Sequence, residues 1–198
     1  MCQPVKDSKK QLRRELRSRR LGLTARQRTL YDKSIQQHVL KLVGSLDAGS
    51  VACFWPFDGE PDIIPAARQM LLEERVLALP VISKHASHLM SFHAWDAGSA
   101  LVENKFGIFE PQDSAAVMPL AGFDMLLMPL VGYDRLGNRL GMGAGFYDRH
   151  LESLRESRAP LRVGIAYGLQ EIEPFVQNHW DVPMHGIINE HGWFTFGG

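Results

Sequence analysis

Hydrophobic positions recur at helical spacing in the first forty residues and then give way to short, continuous apolar runs. Leu12 and Leu16 are four apart, with Leu23 beyond, and predict a helix over about residues 8–21, with Ser8 as its cap and Gly22 interrupting it. Thr24 followed three residues later by Gln27 is a capping box. It predicts a second helix over about 25–43, with Leu30, Ile35, Val39, Leu42 and Val43 as its buried stripe. Val51–Trp55 is an unbroken apolar run closed by Pro56 and reads as a buried strand. A turn-rich loop, Asp58-Gly-Glu-Pro-Asp62, leads to a helix over about 62–73 capped by Asp62.

Arg75–Pro80 predicts the next strand, and the loose alternation of His88–Trp95 suits an outer one. Residues 96–122 show no strong periodicity and are expected to wrap the surface. Asp124–Pro129 is another buried strand, extended by Leu130 and Val131, and Tyr133–Leu140 is a long turn. A glycine-rich stretch then enters a helix reaching about 157, followed by strands at 161–167 and 186–189. Strands alternating with helices predict an α/β class, a three-layer α/β/α sandwich with a mostly parallel sheet. No linker or repeat divides the chain, so residues 1–198 read as one domain.

Composition narrows the classes. The 198 residues carry 22 basic and 22 acidic side chains, which argues against a globally basic nucleic-acid binder. No run of 18 apolar residues exists, so no membrane span is expected. The start of the chain lacks a secretory h-region, and the expected location is the cytoplasm. Two cysteines, Cys2 and Cys53, cannot build a disulfide framework, and Cys53 in its apolar run reads as a buried thiol. His85, His88 and His93 lack zinc-helix spacing, and no Gly-x-Ser-x-Gly elbow occurs.

The charge is segregated. Residues 1–28 hold ten Lys/Arg against two Asp/Glu, a net of +8, and the remainder carries −8. A basic helix could dock over an acidic body, neutralise a bound polyanion, contact nucleic acid, or simply present a solvated face. Lys10, Arg13, Arg14 and Arg17 stand three and four apart, so several can converge on one side.

In a parallel sheet, ligands collect beyond the carboxyl ends of the strands. The segment 130–149 is the richest of those ends. Gly141, Gly143 and Gly145 precede a helix, and Arg139 and Arg149 flank them. Glycines permit close backbone approach, and a helix start favours an anion, so a phosphate cradle or a tight structural turn both fit. The spacing is neither a Walker A loop nor a dinucleotide fingerprint. Asp148 either complements the helix dipole or holds Mg²⁺ on a bound triphosphate, and Asp181 is a second carboxylate candidate. Glu60 is either a solvated turn acid or an acceptor for the N–H donors of a heterocycle. Tyr147, Phe106 and Trp55 are flat surfaces for such a ring, or core.

Leu136-Gly-Asn-Arg-Leu-Gly-Met-Gly-Ala-Gly-Phe-Tyr-Asp-Arg149 resembles the signature of the 5-formyltetrahydrofolate cyclo-ligases, also called 5,10-methenyltetrahydrofolate synthetases. The basic helix with Lys10 and Arg14, Phe57–Asp62, Asn104–Pro111, Trp180–Pro183 and Gly186–Glu190 agree in order and span nearly the whole chain. Ala144 departs from the Gly or Lys of many relatives, Phe146 from Tyr, and Met184-His185 from Leu-Asp.

The resemblance implies a fold similar to the sugar-phosphate isomerase group, with the amino-terminal helix packed at the active site. It implies ATP- and Mg²⁺-dependent closure of 5-formyltetrahydrofolate to 5,10-methenyltetrahydrofolate, with release of ADP and phosphate. Phosphorylating the formyl oxygen makes it a leaving group, and N10 of the folate then attacks, so no protein nucleophile is needed. By the match, Lys10 and Arg14 reach the nucleotide phosphates, and Arg139, Gly141, Met142, Gly143, Ala144, Gly145 and Phe146 form the phosphate loop. Arg139, Lys10 and Tyr147 are the expected catalytic residues. Glu60, with Phe106, Tyr147 and Trp55 near it, holds the folate, and Asp148 and Asp181 serve the metal. The expected partner is the small-molecule folate, free or polyglutamylated, taken by a monomer without nucleic acid or membrane. A sugar-phosphate isomerase-like enzyme on the same fold, or a non-catalytic nucleotide- or RNA-binding relative, stays open as an alternative.

Overall fold

The computed structural model describes residues 4–83, 89–112, 114–157, 159–178 and 180–196, and for residues 4–8 the backbone alone. Cys2, His85 and His88 lie outside the described residues. The chain opens with helices α1 (Pro4–Leu21) and α2 (Ala25–Ser45). Helix α1 begins four residues before Ser8, which is therefore not its cap. The capping box of α2 forms: Gln27 N–H donates to Thr24 Oγ1 at 3.2 Å, and Thr24 N–H donates to Gln27 Oε1 at 3.0 Å. The buried stripe of α2 is Asp32, Ile35, Val39, Leu42 and Val43, while Leu30 is 55% exposed. The reason is angular. Asp32 is three residues before Ile35 and shares its face, and Leu30 does not. A buried acid is tolerated there because the Tyr167 hydroxyl donates to Asp32 Oδ1 at 2.6 Å.

Next come β1 (Ser50–Ala52), α3 (Ile64–Leu72), β2 (Val76–Ile82), β3 (Met90–Trp95), β4 (Leu101–Glu103), β5 (Phe109–Pro111), β6 (Val117–Met118) and β7 (Met125–Pro129). They are followed by β8 (Gly132–Tyr133), β9 (Arg139–Leu140), α4 (Phe146–Leu151), β10 (Leu161–Ile165), β11 (Gly186–Asn189) and β12 (Gly192–Thr195). One expectation needs detail and two need correction. Residues 96–122 lie largely at the surface as expected, but they contain strands that no periodicity announced, the β4–β5 hairpin and the edge strand β6. The "long turn" 133–140 is a small hairpin, β8–β9. The helix after the glycine stretch is six residues long and passes into a 3₁₀ turn at Glu152–Leu154, well short of 157.

The main sheet runs in the order β12-β11-β10-β7-β1-β2-β3-β6. Its five central strands are parallel, β12 and β3 run antiparallel to them at either side, and β6 pairs antiparallel with β3. Central β1 sets Val51 opposite both Leu77 of β2 and Met125 of β7. The chain lays β2 on one side of β1 and later strands on the other, which makes the β1/β7 boundary a topological switch point.

One sheet face packs under α2 and α3 through Ile35, Val39, Val43, Ala66 and Met70 against Val51, Cys53, Leu127 and Ile165. Burying a side chain such as Ile35 stabilises by about 2 kcal/mol. The Cys53 thiol lies in this layer, fully buried, and desolvation pushes its pKa up to about 12. The other face is covered by α4 and irregular chain, with Leu151, Phe123 and Met184 on Phe92, Leu126 and Ala166. Three layers therefore exist, the third built mostly without helix. Helix α1 crosses the end of β7, where Leu16 packs on Val131 and Leu140.

Candidate functional site

The two loops leaving the switch point carry the candidate residues. After β1, Glu60 N–H donates to Phe57 O at 3.0 Å and closes a tight turn through Asp58 and Gly59. Glu60 itself is buried, and one carboxyl oxygen accepts Phe57 N–H at 3.0 Å. Burial pushes its pKa up to about 7, partly opposed by the nearby Arg20 guanidinium and the Phe57 N–H.

After β7, the β8–β9 hairpin presents Arg139, whose side chain is only 5% exposed. Its guanidinium donates to Asp148 and to the Val182 carbonyl. Burial lowers the Arg139 pKa, while Asp148, Asp181 and Tyr147 hold it up, so all three stand close to this cation. Gly143 and Gly145 take φ of +105° and +69°, a region that favours glycine. Gly145 caps α4 in the left-handed conformation, which puts Asp148 in the first turn. The half-buried Tyr147 has its phenol pKa raised, first by desolvation and then by the charge of Glu60, with Arg139 opposing. The charges of Glu60, on one loop, and Arg139, on the other, thus both act on Tyr147, in opposite directions.

Gly141 stands apart from its neighbours. Among the described residues, nothing lies within 4 Å of where its Cβ would be. Neither backbone conformation nor packing demands glycine at this position, and the space over it suits a phosphate approaching the main chain. Met142 and Ala144 are exposed beside it, and Phe146 is half-buried. Arg149 donates to the Ala144 carbonyl.

The basic helix docks on the body through some of its cations and leaves others in solvent. Lys10 and Arg14 are exposed. The arginines that engage the body are Arg13, donating to Gly141 O at 2.8 Å, and Arg17 and Arg20, both on Asp58. Arg13 and Arg20 stand three before and four after Leu16 and so share the face that Leu16 buries. Trp55 packs edge-on to Trp95 and tilted on Phe109, with centroids 6.2 and 5.4 Å apart. Phe106 is 47% exposed at the β4–β5 hairpin tip, with the Lys105 ammonium 5.2 Å from its ring centre. His185 is structural: its Nδ1 accepts Arg162 N–H at 2.9 Å. His93 is buried between Ser91 and the Ala115 carbonyl.

For Mg²⁺, the donor set is modest. Asp148 is paired with Arg139, and Asp181 accepts Asn178 N–H at 2.9 Å. No cluster of three or more metal-binding side chains occurs among the described residues. Mg²⁺ on a nucleotide needs only one or two protein carboxylates, with phosphates and water completing the octahedron. Asp148 and Asp181 are the two carboxylates whose charges act on Arg139.

The family model for the 5-formyltetrahydrofolate cyclo-ligases matches residues 5–190. The chain belongs to that family. The cyclo-ligase of Haemophilus influenzae is 36% identical over 181 residues, covering 91% of this chain and 96% of that protein. The cyclo-ligase of Escherichia coli K12 is 33% identical, covering 87% and 95%. The solved 5,10-methenyltetrahydrofolate synthetase of Aquifex aeolicus superposes with a TM-score of 0.81 at 27% identity, covering 96% of this chain and 93% of that one. The Mycoplasma pneumoniae synthetase, at 23% identity and TM-score 0.75, shares the fold. Both switch-point loops lie inside the part of the chain that the cyclo-ligase family model matches.

Proposed function

We propose that this protein closes 5-formyltetrahydrofolate to 5,10-methenyltetrahydrofolate with consumption of ATP in the presence of Mg²⁺. The observation that carries the reading is a buried acid, Glu60, after β1 and a buried cation, Arg139, after β7, on the two sides of the switch point, with Tyr147 feeling the charge of both. An ionised Glu60 accepts N–H donors of the folate heterocycle, a strong charge-assisted interaction in a dry pocket. Tyr147 and Trp55 supply apolar walls for the rings, and Phe106 borders the entrance from its hairpin. Arg139 opposes negative charge on the phosphates, the backbone of 141–146 lies against them, and Lys10 and Arg14 approach from the solvent side of α1. Bound ATP supplies the phosphoryl group that turns the formyl oxygen into a leaving group. Asp148 and Asp181 would hold Mg²⁺ on its phosphates.

N10 of the substrate is the nucleophile, so the protein's work is orientation and exclusion of water. Phosphoryl transfer requires little covalent help from a protein, which suits a site without an activated side-chain nucleophile. We read the enzyme as a cytoplasmic monomer acting on free or polyglutamylated folate, and the doubly wound sheet as kin to sugar-phosphate isomerase-like folds. Among the described residues, no helix is long and apolar enough to cross a membrane. The test is the appearance of 5,10-methenyltetrahydrofolate absorbance with purified protein. ATP-dependent formation supports the reading, and equal formation without ATP overturns it.

A further inference from the structure

The turn that presents Glu60 is gripped harder than a surface turn needs. Asp58 and Gly59 take φ of +51° and +76°, the two left-handed central positions of a type I′ turn. Both oxygens of the Asp58 carboxylate accept from Arg17, at 2.7 and 3.0 Å, and Oδ2 also accepts from Arg20 at 2.9 Å. The backbone is held as well. Arg20 donates to Asp58 O at 2.8 Å, and Arg28 donates to Gly59 O at 2.8 Å. Arg20 is fully buried, and its other arm reaches Leu130 O at 3.2 Å, at the end of β7. Three arginines thus fix two residues, and the next residue in the chain is Glu60. Nothing in the chemistry above uses Asp58, Arg17 or Arg20 directly.

We propose that Asp58 is a positioning residue: through Arg17 and Arg20 it locks the type I′ turn to α1 and so sets where Glu60 meets the folate. This rests on the folate reading of Glu60. Because Arg13 of the same helix holds the Gly141 carbonyl, α1 references both loops to one rigid body. Glu60 is faced by Arg20 from α1, Asp58 from its own loop and Tyr147 from α4. The charge of Asp58 opposes ionisation of Glu60, and that of Arg20 favours it.

The test is Asp58→Asn. Asparagine tolerates the left-handed conformation, so the turn persists while the ion pairs are lost. The expected result is a KM for 5-formyltetrahydrofolate raised about tenfold, with the KM for ATP within about twofold of wild type. The acid limb of kcat/KM for the folate should also move to lower pH. A merely structural role would lower the melting temperature and scale kcat with the folded fraction, leaving both KM values unmoved; that result overturns the proposal. If Asp58→Asn does not fold, Arg17→Gln at the more exposed arm carries the test. It should raise the folate KM about threefold and spare that of ATP, and an equal or absent rise overturns the proposal. A wild type without ATP-dependent conversion overturns the underlying reading and this inference with it. An active wild type whose Asp58→Asn twin keeps its folate KM overturns positioning alone.

Discussion

The two loops at the switch point are built on opposite plans. The 57–60 turn is buried at Glu60, closed by its own backbone bond and clamped by Arg17, Arg20 and Arg28. The 141–145 stretch is exposed at Met142, Gly143 and Ala144 and is anchored by Arg13 on Gly141 O and Arg149 on Ala144 O. The first is shaped before any ligand arrives, and burying its acid is costly. The second leaves backbone and space available for a ligand to organise. On the proposed function, preorganisation is concentrated where a planar ring would be read, and latitude where a flexible phosphate tail would enter and leave.

The sharpest way to break this contrast is Glu60→Gln. Removing the acceptor charge should lower kcat/KM for the folate by about 10³-fold or more, since a site built around a buried polar partner rejects its loss strongly. The same change should stabilise the free protein at alkaline pH. Glu60 has a folded pKa of about 7 against 4.5 unfolded, so the native state holds the extra proton between those values. Stability therefore falls as pH rises from about 4.5 to about 7, by about 3 kcal/mol in total. Asp58 works in the other direction. Its pKa is lowered, first by the bond from Arg17, so its contribution is present above about pH 4 and lost on further acidification. Melting curves of wild type against Glu60→Gln should diverge above pH 5, the variant ahead by about 5–10 °C at pH 8.

Arg139→Ala probes the other loop. It removes the cation beside Asp148 and Tyr147 and should lower kcat by about 10²–10³-fold, measured at saturating ATP. Smaller still is a pair of glycine substitutions. At Gly137, φ is +84° and a Cβ would meet Met184 O at 2.9 Å, so Gly137→Ala should lower the melting temperature. Gly141→Ala should leave the melting temperature unchanged and raise the ATP KM about tenfold, because the space it fills is ligand space. The smallest effect is expected on the solvent side of α1. Lys10→Ala and Arg14→Ala should each raise the ATP KM about threefold, more at low salt than at high.

Much of the scaffold was legible because it depends on neighbours in sequence. The Thr24/Gln27 box and the continuous runs at β1, β7 and β10 announce themselves locally. Strands β4, β5, β6, β8 and β9 escaped because two or three residues show no period, and β12 because nothing before it separates a return strand from a tail. The Arg139–Asp148 loop was visible through its glycines. The duties of Arg17 and Arg20 were not, because they depend on which face of α1 meets a turn some forty residues away. Lys10 and Arg14 have the same charge and sit on the same helix, and only docking separates the two sets. Leu30 failed for a related reason: apolar character alone did not say which angle of α2 faces inward.

Ser50 of β1 is held by Asp124, the residue before β7, across 74 positions of chain. Helix α2 can form from local signals as soon as its residues exist, but the pocket cannot. Glu60 follows β1 and Arg139 follows β7, so their placement relative to one another depends on the pairing of two distant stretches of polypeptide. The arrangement of the site residues is consequently a property of the assembled sheet and of no single segment of the chain.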